Sequence, residues 1–301
     1  MEDILAKVIR IDLDIYYLSV EHKNEIIQSK LRGNLKKSKN ILVGDIVKVE
    51  KIGQDYMIKD IIERKNSLIR PPVSNIDQMI IVVSVGAPSP DYILLDKQLV
   101  LCMSKNIKPI ICVNKIDLIN EDKKVKEDLE YINNIYSKIG VDIVYVSAKN
   151  GDGIDKLKML IKGKTSAFSG NSGVGKSSIT KKIIDKLEVI EIGEIGRKTK
   201  RGKHTTKAVK LYTIGDDTYI LDTPGFSSYE LYDIEYRELT KYYPEFLKYS
   251  CNYDDCMHVL ESIDVCAIKQ NVEKKNIDKG RYERYVYIYQ KLKEQYDRRY
   301  K

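Results

Sequence analysis

Gly170-Asn171-Ser172-Gly173-Val174-Gly175-Lys176-Ser177 fits the pattern GxxxxGK[ST]. Glycines at these positions let successive backbone N–H groups turn toward one anion with no Cβ in the way. A nucleotide's phosphate chain is the anion such a loop suits. Lys176 would reach the β- and γ-phosphate oxygens, and the Ser177 hydroxyl would ligate Mg²⁺, with Ser178 next to it in the nucleotide-contacting set. The bland alternative is a glycine-rich turn before a helix. The context argues against it, because an apolar stretch over residues 165–168 precedes the loop and a helix-forming stretch over 177–187 follows.

Three further short runs follow apolar stretches of their own. Asp222-Thr223-Pro224-Gly225 places an acid where Mg²⁺ would be held through water, and a glycine N–H that could meet the γ-phosphate. Asn114-Lys115-Ile116-Asp117 places a carboxylate that can accept from guanine N1–H and N2–H₂ together, a donor pair adenine lacks. Asn114 would orient the base edge and Lys115 would lie along the ring. In Ser147-Ala148-Lys149 the Ala148 N–H could donate to guanine O6. Each run is weak alone. All four, each behind a predicted strand, point to GTP.

These elements resemble those of the Ras-like P-loop GTPases, in a different order. The guanine-reading runs precede the P-loop and the magnesium-holding run comes last, which is a circular permutation. The permutation is physically permitted because the site is built from loops at one sheet edge, whatever their order along the chain. The resemblance puts a water-orienting Gln after the glycine of the magnesium-holding run. Phe226 stands there and can neither donate nor accept, so intrinsic hydrolysis is expected to be slow unless another group positions the water. His204 is the nearest sequence candidate, in Gly202-Lys203-His204-Thr205-Thr206; a solvent- or RNA-facing role is the alternative. Thr205 or Thr206 could supply a second Mg²⁺ ligand. Residues 195–215 around them are strongly basic and carry no acid, a composition that predicts a loop ordered by nucleotide or by an anionic surface.

A second constellation is Cys251-x4-Cys256-x-His258-x7-Cys266. Three thiolates and an imidazole are a tetrahedral set for a structural Zn²⁺; free thiols are the alternative. Cys102 and Cys112 sit in apolar surroundings and read as core.

The elements that must position these residues fall into three parts. Residues 1–70 read as short strands. Ile9, Ile11, Leu13 and Ile15 alternate with polar residues, Val47 and Val49 flank Lys48, and Tyr56 and Ile58 open another strand. A small β-barrel follows, of which the OB-fold is the commonest nucleic-acid-binding type, though periodicity does not select it. Residues 28–44 bear Lys30, Arg32, Lys36, Lys37 and Lys39 and read as an exposed basic loop. Arg70-Pro71-Pro72 marks a boundary. Residues 71–230 alternate strands (79–85, 110–113, 141–146, 165–168, 219–221) with helices (including 155–161 and 177–187), an α/β unit with a mainly parallel sheet. Residues 231–301 form a mainly α module. There Tyr282, Tyr285, Tyr289, Leu292 and Tyr296 recur at helical spacing as a packing face, in a tail, Lys269 to Lys301, with eleven Lys or Arg against five acids that favours phosphate contact. The whole chain has 301 residues, 43% of them hydrophobic, and a net charge of +8, which favours an anionic partner. Seventeen Gly and seven Pro exclude a collagen-like or linker-rich chain. The acidic start, with no apolar run after it and no membrane-length run elsewhere, leads to the expectation of a cytosolic protein with reduced cysteines.

Taken together, the sequence resembles the ribosome-small-subunit-dependent GTPase A family, the small-ribosomal-subunit biogenesis GTPases. The likeness includes Arg70-Pro71, Asn75-Ile76-Asp77-Gln78, residues 201–206 and the Cys/His cluster. It implies an N-terminal OB-fold, a circularly permuted GTPase and a C-terminal zinc domain. It also implies a cytosolic, largely monomeric, ribosome-stimulated enzyme that binds rRNA and aids late maturation of the small subunit. An RNA-binding assembly factor whose GTP site only switches affinity is the other reading. In one respect the chain departs from the family, which places its last Cys six residues after the His, behind Pro-Gly. Asp264 stands there, and Cys266 comes two residues later.

Overall fold

The computed structural model describes residues 3–32, 40–184, 209–222, 231 and 233–299. His204, Thr205, Thr206, Gly225 and Phe226, and Lys36, Lys37 and Lys39 of the basic stretch, lie outside the described residues.

Strands β1 (Ile4–Asp12), β2 (Ile15–Val20), β3 (Ile26–Leu31), β4 (Ile46–Ile52) and β5 (Asp55–Ile61) close a barrel in the order β1-β2-β3-β5-β4. All neighbours are antiparallel except β3 and β5, an OB-fold arrangement. Alternate residues such as Ala6, Val8, Leu18, Val47, Val49 and Ile58 fill its interior. Two sequence readings need correction. The alternation through Leu13 is not one strand: Leu13 has φ 53°, is 98% exposed and sits in the hairpin turn between β1 and β2. The turn interrupts a run whose period happens to continue on the next strand. The basic stretch from residue 28 is not all loop, since its first residues belong to β3, where Lys30 is exposed and Arg32 just beyond pairs with Glu50.

A short hairpin of β6 (Ser67–Leu68) and β7 (Val73–Ser74) leads into the central sheet. That sheet comprises β8 (Gln78–Ser84), β9 (Lys108–Asn114), β10 (Asp142–Val146), β11 (Thr165–Ser169), β12 (Lys210–Thr213) and β13 (Tyr219–Asp222), in the order β10-β9-β8-β11-β13-β12. Every pairing is parallel except that of the edge strand β12. The chain runs outward from β8 through β9 to β10 and returns to the other side of β8 as β11. The strand order therefore reverses between β8 and β11, where open α/β sheets place their ligands.

β8 is buried along its whole length because helices cover both faces. Met79, Ile81 and Val83 face α1 (Tyr92–Ser104) and α2 (Lys123–Tyr136), whereas Ile80 and Val82 face α3 (Ile154–Ile161) and α4 (Lys176–Ile184). Cys102 and Cys112 are fully buried in this core. Short 3₁₀ turns, α5 (Ala267–Glu273) and α6 (Lys279–Arg299) form the C-terminal module, which shares the α1–α2 core.

Tyr285, Tyr289 and Leu292 are buried, so the aromatic stripe of α6 is a packing face as its spacing predicts. Arg281 is also buried, at 2% exposure, which charge counting misses. Its guanidinium meets Asp96 of α1 at 2.6 Å and also Glu245; Arg284 binds the other Asp96 oxygen, and the Tyr136 hydroxyl donates to Asp96 at 2.8 Å. Two arginines of the basic tail are therefore turned inward rather than toward phosphate. Breaking one partner of a buried pair costs about 3–5 kcal/mol because the other charge stays desolvated. Asp96→Ala leaves Arg284 without a carboxylate and Arg281 with Glu245 alone, and a denaturant melt should read a loss of about that size. An unchanged midpoint would show that the cluster does not hold the modules together.

Candidate active site and metal centre

The P-loop follows β11 and runs straight into α4. Gly170 has φ 135°, and a Cβ there would lie 2.1 Å from the Val82 carbonyl oxygen of the neighbouring strand. A Cβ on Gly175 would lie 2.1 Å from Asn114 Nδ2. Only glycine permits the loop to approach β8 and Asn114 this closely. Lys176 folds over the loop and donates to the carbonyls of Gly170 and Asn171, both at 2.6 Å. Partial burial lowers its pKa. Ser172, Gly173, Ser177 and Ser178 are exposed at the mouth.

The guanine-reading runs converge on this loop from β9 and β10, whose last residues, Asn114 and Val146, are in register. Asn114 is 2% exposed; its Nδ2 donates to the Val174 carbonyl at 2.9 Å and its Oδ1 accepts from the Ala148 N–H at 3.0 Å. One amide thus fastens the P-loop to Ser147-Ala148-Lys149. This differs from the sequence reading, in which Asn114 orients the base and the Ala148 N–H donates to it. Adjacent strand ends bring the two residues together, and their polar groups satisfy each other.

Asp117 Oδ1 accepts from the buried Ser147 hydroxyl at 2.7 Å. Ser147 in turn accepts from the Asn150 N–H at 3.1 Å, which commits its own proton to Asp117. Asp117 Oδ2 has no hydrogen-bond partner among the described residues. The carboxylate is held by one oxygen and presents the other, the arrangement a base-reading acceptor needs. Lys115 takes a left-handed backbone, φ 70°, and its ammonium donates to the Ala87 carbonyl. Lys149 is exposed. Asp222 ends β13, the second strand beyond β8, so its backbone reaches the same sheet edge.

One supporting residue escapes sequence reasoning. Asp91 caps α1 by accepting from the Leu94 N–H at 2.9 Å, while its Oδ2 accepts from Asn171 Nδ2 at 3.2 Å. An acid directly before an apolar helix is a readable cap signal; the second bond, 80 residues along the chain, leaves no local trace.

In the C-terminal module the ligand atoms of Cys251, Cys256, His258 and Cys266 lie within 4.8 Å of one another. The sulfurs stand 3.5, 3.2 and 3.5 Å from His258 Nδ1, and Cys251 Sγ is 3.9 Å from Cys266 Sγ. Tetrahedral zinc with Zn–S of about 2.3 Å and Zn–N of about 2.0–2.1 Å requires edges of about 3.8 and 3.5 Å. The donor set therefore fits Zn²⁺, with Cys266 completing it in spite of its displaced position in sequence. Burial pushes the Cys256 and Cys266 thiols up and lowers the His258 pKa. Glu261 braces the knuckle by accepting the N–H groups of Met257 at 2.8 Å and Val259 at 2.9 Å, on either side of His258.

Comparison with known proteins agrees with this geometry. Residues 61–232 match the family model described as RsgA GTPase. Several relatives bear the name small ribosomal subunit biogenesis GTPase RsgA, two of them as follows. That of Ruminiclostridium cellulolyticum is 40% identical over 93% of this chain and 90% of its own length. That of Caldanaerobacter subterraneus subsp. tengcongensis is 38% identical over the full length of both. The crystal structure of YjeQ from Thermotoga maritima superposes with a TM-score of 0.85 at 34% identity, over 97% of this chain and 99% of the other. The structure of YloQ, titled a circularly permuted GTPase, gives 0.82 at 32% identity, over 98% and 96%. The likeness spans the barrel, the permuted sheet and the Cys/His module alike: the chain belongs to the RsgA GTPase family.

Proposed function

We propose that this protein hydrolyses GTP to GDP and phosphate while bound to the small ribosomal subunit, and thereby assists that subunit's late maturation. The observation that carries the reading is the Asp117 carboxylate, clamped by Ser147 beside a P-loop that Asn114 ties into place. GTP with Mg²⁺ supplies the scissile phosphoanhydride bond and the divalent charge that offsets its oxygens. The rest falls to the chain. Asp117 selects guanine, and Asn114, Lys115, Ser147, Ala148 and Lys149 shape the base pocket. Residues 170–178 wrap the phosphates. Lys176 exchanges its two loop carbonyls for phosphate oxygens and stabilises the charge that develops there. Ser177, with Thr205 or Thr206, would ligate Mg²⁺, Asp222 would hold it through water, and the Gly225 N–H would meet the γ-phosphate. His204 or the ribosome positions the attacking water, since Phe226 cannot. A division at residues 1–70, 71–230 and 231–301, a cytoplasmic location, a monomeric state and contact with rRNA belong to the same reading.

Purified small subunits should raise the GTPase rate at least tenfold, with no such rise from large subunits. A rate indifferent to small subunits would overturn the ribosome-activated reading and leave an assembly factor with incidental turnover. Lys176→Ala should lower the stimulated rate about 10²–10³-fold, the scale of one lost transition-state contact. Retention of full activity would remove Lys176 from catalysis.

A further inference from the structure

The joint between the GTPase unit and the C-terminal module is not closed along its whole length. Helix α2, the turn near residue 248 and the segment running from α5 into α6 enclose a solvent-open cleft of about 420 Å³. Its charge is lopsided. Lys138, Lys248 and Lys275 line it, all exposed and none in an ion pair among the described residues. Lys279 joins them, with only the exposed Glu283 at 3.8 Å as an ion-pair partner among the described residues. Both acids of the lining are already engaged. Glu245 accepts from Arg281, and Asp278 Oδ1 accepts from the Tyr131 hydroxyl at 2.9 Å and from the Arg281 N–H at 2.8 Å.

The remaining wall is made of Ile135, Ile139, Val272 and Ile277 with the amides of Asn134 and Asn276, and among the described residues no aromatic ring lines the cleft. Bases stack on rings, so a cleft without one reads no base. Lysine ammoniums act as point charges, whereas planar bidentate recognition falls to arginine, and the single arginine here is turned to its own acids. What remains is sequence-blind attraction for a chain of phosphates.

We infer that this cleft holds the phosphodiester backbone of RNA, at a site separate from the P-loop, and that the bound strand bridges α2 and the C-terminal module. The inference rests on the proposed work at the small subunit for its biological setting but not for its geometry. Each phosphate neutralised releases counterions and adds about 0.7 to 0.9 to the slope of log K against log salt.

The test uses the full-length, zinc-loaded protein with GDP in place. A triple variant Lys138→Glu, Lys248→Glu, Lys275→Glu is compared with a control of equal net charge, Lys123→Glu, Lys126→Glu, Lys156→Glu, on exposed positions outside the cleft. Binding of small subunits and of a random-sequence labelled RNA oligomer is followed across a KCl series. The cleft variant should bind both at least tenfold more weakly, with a salt slope lower by about 2. The control should stay within about threefold of wild type, and GDP affinity and melting temperature should not change in either. Equal losses in the two variants, or an unchanged slope in the cleft variant, would overturn the inference. So would displacement of the oligomer by inorganic pyrophosphate at the same phosphate concentration, which would mark a small-anion site instead. If wild type ignores subunits yet its RNA oligomer binding depends on the three lysines, the ribosomal reading falls and the cleft stands.

Discussion

Replacing Cys266 by Ser is expected to abolish zinc binding and unfold the knuckle over residues 251–266. A serine hydroxyl does not ionise to give the fourth ligand, and apparent zinc affinities in small structural sites amount to about 10–16 kcal/mol of folding free energy at neutral pH. The loss would spread, because Phe246 packs edge-on against the His258 ring at 5.7 Å and Tyr282 donates to the His258 carbonyl at 2.7 Å. Zinc content should fall from one per chain to near zero. Near-ultraviolet dichroism from the Tyr243–Phe246–Tyr285 cluster should collapse, and protease should cut within the module. GTP should still bind, since no ligand of the metal centre lies at the nucleotide loops. A fully zinc-loaded, protease-resistant Cys266→Ser protein would show that this thiol is not a ligand.

Asp117→Asn should cost GTP about 10²- to 10⁴-fold in affinity. Two hydrogen bonds to a charged acceptor are worth about 1.5–3 kcal/mol each, and the new amide N–H₂ would confront guanine's own donors. Xanthosine triphosphate carries a carbonyl where guanine carries its amino group, so the variant should come to prefer it. Ser147→Ala should produce a smaller loss of the same kind, because it frees the carboxylate to rotate without removing it. Equal binding of GTP and ATP by the wild type, or an Asp117→Asn protein with unaltered discrimination, would dissolve the guanine assignment.

The residues proposed to meet nucleotide or metal are legible in the sequence because their chemistry demands contiguous types: glycines beside Lys176, Asp117 three places after Asn114, thiols close to an imidazole. The strands behind them are legible because a sheet covered on both faces needs runs such as residues 79–83. What binds the parts to one another is hidden. Asp96 and Arg281 are 185 positions apart, and no local pattern joins them. A faint signal exists, since Asp96 is the one acid within the apolar helix α1 and a buried acid must have a partner. Asn114 illustrates a different limit: its residue type suits both gripping a base and gripping a loop, and only three-dimensional neighbours decide. The hairpin at Leu13 illustrates a third, since period-2 alternation does not register a change of strand.

The barrel is joined to the sheet through its polar groups as well as its chain. Lys7 is 9% exposed, donates to Thr165 Oγ1 at 2.7 Å and lies 4.4 Å from the centre of the Tyr219 ring. The Tyr219 hydroxyl reaches Ser19 at 3.1 Å, and His22 meets Asp217 at 2.8 Å. Thr165 opens the strand that delivers the P-loop. Cutting the polypeptide ahead of residue 71 would therefore bare an aromatic ring and a buried threonine at the root of that strand, so a shortened version should be insoluble rather than merely inactive.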